Sequence, residues 1–250
     1  MSLIPRHPLA RLAGALLLAG GAAQAHQVWL EQAPNETRLH FGEYADNLRE
    51  TSPGLLDKFT AVPVLRQAAA RSTEGRRTPT AFVYAPQSAA DTLWAEAPYP
   101  LIDRSKTQRP PLLWRPAARW VSSLAQPVDA AAPLDLVPTG QDGTLRVVFQ
   151  GAPLPKAKVT LVAPSGWSRE ATTGEDGTVR FALPWQGQYV AEVQHTDKTP
   201  GEHLGQPYGE ASYVTTLSFV QTHGAISPAL PALPALPALP ALPAPTAKAR

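Results

Sequence analysis

The chain contains no cysteine among its 250 residues. Disulfides, thiolate metal ligands and thiol catalysis are excluded in one step, and so is the lipid-bearing cysteine of a bacterial lipoprotein. Enzyme signatures are missing too. There is no Gly-x-Ser-x-Gly elbow, no phosphate-binding Gly-x-x-x-x-Gly-Lys-Ser/Thr loop and no His-Glu-x-x-His pair. The expectation is therefore a binding protein and not an enzyme. One long apolar run exists, Leu12 to Ala23, and no second follows it. It is about a dozen residues long, where a membrane span needs roughly 20.

What the N-terminus does contain is the three-part pattern of a secretory signal. Arg6, His7 and Arg11 lead. An uncharged run rich in Ala, Leu and Gly follows, and Ala23-Gln24-Ala25 puts small residues at a cleavage site. The expected mature protein begins at His26, is periplasmic and has no membrane anchor. Removing residues 1–25 takes away two Arg and no acid, leaving 20 basic against 20 acidic residues. The basic balance of the precursor is thus no nucleic-acid footprint.

The mature chain divides by pattern. Residues 26–135 carry short strand-like runs. His26-Gln27-Val28-Trp29-Leu30 and Thr37-Arg38-Leu39-His40-Phe41 form a hairpin across Asn35-Glu36. Ser52 to Phe59 reads as a short helix with Ser52 as cap and Pro53 in the first turn. Thr80–Tyr84 and Asp91–Ala95 read as further strands, and the Ala- and Pro-rich stretch 127–138 as a linker.

Residues 136–222 alternate more clearly. Leu145, Val147 and Phe149 share one side, as do Val159 and Leu161, then Val179, Phe181 and Leu183, then Tyr189, Ala191 and Val193. Turn residues such as Asp176-Gly177 separate the runs. Period two with regular turns indicates an antiparallel sandwich. The fold class expected is all-β: two β-rich domains, the second an Ig-like or prealbumin-like sandwich. Residues 223–250 form a tail in which Pro-Ala-Leu repeats from Pro228 to Pro243. Proline every third residue suits a semi-rigid polyproline II rod.

Two resemblances rest on quoted segments. Gly151 to Val159, with Asp176-Gly177, Phe181 and Gly187-Gln188-Tyr189, resembles a prealbumin-like or carboxypeptidase-regulatory-like sandwich. Ala25-His26-Gln27-Val28-Trp29-Leu30-Glu31, Phe41-Gly42-Glu43, Arg49 to Gly54, Lys198 to Glu202 and Tyr213 to Phe219 resemble the DUF4198 family. That second resemblance implies an exported protein linked to a nickel or cobalt uptake system. A membrane metal-uptake system is then the expected partner.

The residues point to metal chemistry independently. Cleavage after Ala25 would give His26 a free α-amine beside its ring Nδ1, and the two close a six-membered chelate. The amine ionises near 7.7–8.0, so a metal displaces its proton at neutral pH. Nitrogen donors of this kind suit Cu, Ni and Zn; taken with what the DUF4198 resemblance implies, the expected ion is Ni, Co or Cu. The candidate ligand set is His26, His40, Glu43, His195 and His203, with Asp197, Glu202 and His223 as weaker candidates. No His-x-x-x-His or other tight spacing joins them, so any site is assembled in three dimensions. Two functions stand on this reading. One is a periplasmic transition-metal carrier using the N-terminal His; the other is a metal-free interaction or adhesion module built on sandwich faces and the Pro-rich rod.

Overall fold

The computed structural model describes residues 26–67, 71–88 and 92–229. The expected signal segment and the repeats beyond residue 229 lie outside the described residues. The first half of the chain supplies β1 (Gln27–Ala33), β2 (Glu36–Glu43), β3 (Leu48–Arg49), β4 (Leu65–Gln67), β5 (Ser72–Thr73), β6 (Arg76–Arg77), β7 (Phe82–Tyr84), β8 (Leu93–Glu96) and β9 (Leu112–Val121). The second half supplies β10 (Leu134–Pro138), β11 (Thr144–Phe149), β12 (Ala152–Pro153), β13 (Lys158–Val162), β14 (Ser168–Thr172), β15 (Thr178–Arg180), β16 (Trp185–Asp197), β17 (Gly201–His203), β18 (Gln206–Tyr208), β19 (Glu210–Gln221) and β20 (Ala225–Ile226). The protein is all-β, as the alternation predicts.

A central sheet runs β14-β13-β16-β19-β9-β8-β4-β5, and β20 lies parallel to the start of β16. A first sheet runs β1-β2-β7-β6, with β3 added to β2. A third runs β10-β11-β12, with β15 also on β11. Around β9 and β19 the central sheet is covered on both faces, so these two strands bury successive residues and do not read as simple in-out alternation. β9 shows this directly. Leu113 and Val121 enter a core with Leu134, Leu136, Leu145 and Val147 of the third sheet. Ala118 and Trp120 enter a core with Val28, Leu30, Leu39 and Phe41 of the first.

The residues expected inside the C-terminal sandwich are there. Val159, Leu161, Phe181, Tyr189 and Val193 are buried, and Phe149 packs against them partly buried. Gly177 occupies the expected turn at φ 73°. A Cβ there would lie 2.8 Å from the Val147 carbonyl oxygen, so the turn needs glycine.

Three expectations change. The stretch 127–138 is not a free linker over its whole length, because its end is the fully buried strand β10. Its apolar Leu134, Leu136 and Val137 are strand-forming once a sheet is present to receive them. The helix expected from Ser52 shrinks to a 3₁₀ turn, Leu55–Lys58, with Gly54 and not Ser52 at its N-cap. Asp57 holds that turn, accepting from the Gly54 N–H at 3.0 Å and the Ser52 hydroxyl at 2.6 Å. The central sheet also draws strands from both sides of residue 135: β19 pairs in parallel with β9 from Glu210↔Leu112 to Phe219↔Val121.

Candidate metal centre

The β1–β2 hairpin sets the site. Its register pairs Gln27 with Gly42, Val28 with Phe41 and Trp29 with His40. Side chains alternate across a sheet, so His26, Val28 and Leu30 share a face with Glu43, Phe41 and Leu39. Gln27, Trp29 and Glu31 share the other face with His40. β3 pairs Glu43 with Leu48 and Gly42 with Arg49, which returns Glu50 to the His26 face.

On that face the His26 ring lies against Phe41, centroids 5.2 Å apart. Its Nε2 is 2.5 Å from Glu50 Oε1 and its Nδ1 is 3.5 Å from Glu43 Oε1. A carboxylate only accepts, so Nε2 carries the hydrogen in that short contact. Burial pushes the Glu43 carboxyl up from its ordinary value, Asp46 and Glu50 add to this, and His26 opposes it. His26 thus has two carboxyl groups in contact with its ring. Among the described residues, no group of three His, Asp or Glu side chains converges tightly enough to hold an ion unaided.

The structure brings together two of the five expected ligands, His26 and Glu43. His40 is on the opposite face of the hairpin and only 3% exposed. It stacks on Trp29 at 5.3 Å and its Nδ1 donates to the Thr80 carbonyl at 3.3 Å. Its Nε2 lies 3.3 Å from Glu31 Oε2, an ion-pair contact without hydrogen-bond geometry. Glu31 also accepts from the Trp29 indole and from Arg49, each at 2.9 Å. This is a packed polar network under the hairpin. His195 ends in a contact with Phe149, centroids 4.4 Å apart, at the edge of the C-terminal core. His203 closes the β17–β18 hairpin and lines a different cleft, with Trp94, Glu96, Tyr99 and Arg115. Asp197 is engaged with the Thr199 N–H at 2.9 Å.

Glu50 is the residue that reading the sequence missed. It stands in the quoted segment Arg49 to Gly54, but only the β2–β3 pairing brings it back to His26. Nothing in its local spacing signals that return.

The family model for a domain of unknown function, DUF4198, matches residues 120–197. The match covers the end of β9 and the chain through β16, and leaves the β1–β2 hairpin outside. No curated protein matches the chain. Over residues 120–197, which hold part of its C-terminal sandwich, this chain is similar to the DUF4198 family.

Proposed function

We propose that the protein is an exported, periplasmic transition-metal carrier that holds Ni, Co or Cu at a mature N-terminal His26 and serves a membrane uptake system. The observation that carries this reading is the Glu50 contact on Nε2. A metal-bound histidine characteristically donates its other ring N–H to a carboxylate, which fixes the tautomer and strengthens the ligand. Glu50 does this to His26, and Nδ1 faces Glu43 at 3.5 Å. A metal ion on Nδ1 would take the place of the proton that an imidazolium holds toward that carboxylate. Nδ1 is also the nitrogen that chelates with the α-amine of the same residue. The donor set of amine, Nδ1 and Glu43 therefore fits a borderline metal ion.

The test is calorimetric titration with Co(II), Ni(II) and Cu(II) of three forms: protein beginning at His26, protein with one extra residue before it, and Glu50→Gln. Affinity should follow Co < Ni < Cu and fall as pH drops from about 8 to 5, because protons compete for both nitrogens. The extension should cost at least about 100-fold, and Glu50→Gln about 10–100-fold, as for other supporting carboxylates. Equal affinity in the extended and unextended forms would remove the N-terminal site.

A further inference from the structure

Beside His26 opens a cleft of about 330 Å³ walled by Phe41, Leu55, Tyr99, Ile102 and Trp114, with Lys58 among its lining residues. Its size falls in the range of roughly 300–1,000 Å³ that receives small organic ligands. Trp114 meets Tyr99 edge-on at 4.8 Å and Phe41 at 6.0 Å, so the wall is a braced aromatic surface. A second cleft of about 340 Å³ shares Tyr99 and Trp114 and continues the groove to His203.

A bare hydrated ion gains nothing from such a wall. Aromatic side chains attract flat, polarisable bodies, and the Lys58 ammonium attracts carboxylates. The amine, Nδ1 and Glu43 also leave positions on a bound ion that another ligand must fill. We infer that the cleft is a subsite for a carboxylate-bearing aromatic chelator, so that the protein takes its metal as a metal–chelator complex. This rests on the metal reading of His26. The chelator body lies on Trp114 and Tyr99, a carboxylate meets Lys58, and His26 completes the coordination.

The probe is Ni(II) with equimolar pyridine-2,6-dicarboxylate, set against Ni(II) alone and the chelator alone, on protein beginning at His26. After gel filtration, metal and chelator are measured in the protein peak, and tryptophan fluorescence is followed during titration. Both components should co-elute with the protein in equal amounts, with a change in emission. Lys58→Gln, at an exposed position, should weaken binding of the complex about tenfold, or ~1.4 kcal/mol, and leave Ni(II) alone unchanged. Trp114→Leu should do the same and also abolish the emission change. If Ni(II) alone binds but the chelator is left in the small-molecule fraction, or both variants bind the complex like the parent, the subsite is overturned and the metal site stands. If neither Ni(II) nor its complex binds, the metal reading fails and the subsite with it.

Discussion

A half-buried carboxylate and a buried ion pair show how single residues set the chemistry of the hairpin and the sandwich. Burial alone would push the Glu31 carboxyl up, but the His40 ring, the Trp29 indole N–H and Arg49 outweigh it and hold it at about 2, against an ordinary 4.5. A carboxylate whose value is lower in the folded chain adds stability that is complete above the unfolded value. That stability is lost as pH falls through the folded value. The window here runs from about 4.5 down to about 2, and the contribution is on the order of 3 kcal/mol. Glu31→Gln should remove that acid-dependent part of the urea midpoint, and an unchanged slope between neutral and acid pH would sink the assignment. In the sandwich, Arg119 and Asp135 are 2% and 1% exposed. Arg119 Nε donates to Asp135 Oδ1 at 2.8 Å and Nη2 to Oδ2. Asp135 also accepts from the Ala131 and Ala132 N–H groups at 2.8 and 3.1 Å. Arg119→Met leaves a buried carboxylate without its counter-charge and should cost about 3–5 kcal/mol. A loss below about 1 kcal/mol in denaturant unfolding would mean that the backbone donors suffice.

At the scale of elements, β16 and β19 are the long strands that tie the layers together. They pair from Gly187↔Gln221 to Asp197↔Ala211. Tyr189 and Phe219 stack at 5.5 Å across this pair, toward the third sheet. On the other face, the Thr216 hydroxyl donates to the Val28 carbonyl at 2.7 Å and fastens β1 to the central sheet. Phe181, just past β15, closes the same core at 5% exposure. Phe181→Ala should destabilise by about 3–5 kcal/mol through lost burial and the cavity left behind. The urea midpoint is the readout, and no shift would mean that the ring contributes nothing to the core.

For the whole molecule the decisive feature is the parallel β9–β19 pair. Parallel strands need a crossover connection, and here most of the C-terminal sandwich serves as that crossover. The strand β9 precedes the sandwich in the chain and β19 closes it, so neither half owns the central sheet. A fragment of residues 136–229 would expose the β19 edge and the Val162 and Val190 side chains that Trp29 covers. It should fail to give a cooperative thermal transition and should associate on gel filtration. A monomeric fragment melting like the full chain would show that the sandwich folds independently of β9.

Much of the all-β character is legible from the chain alone, because side-chain alternation and turn residues are local properties. The Leu145–Phe149 and Tyr189–Val193 runs and the Asp176-Gly177 turn follow from a period of two and from glycine's freedom at positive φ. His26 and Glu43 could be paired from the hairpin between them, since strand register is short-range. Local pattern does not encode which strands meet at long range. β10 hides in an Ala- and Pro-rich stretch that looks like a linker until β11 receives it. His40 looks as near to His26 as Glu43 does, and only the parity of the formed sheet puts it on the opposite face. Glu50 reaches His26 through the turn between β2 and β3. Tyr99 and Trp114, more than 70 residues along the chain from His26, reach it only through the packing of the first sheet on the central one. The sequence by itself determined most of the strands and turns and singled out His26 as the proposed chelator. The tertiary structure decided what surrounds that residue, because carboxylate contacts and an aromatic wall arise from pairings that no local period records.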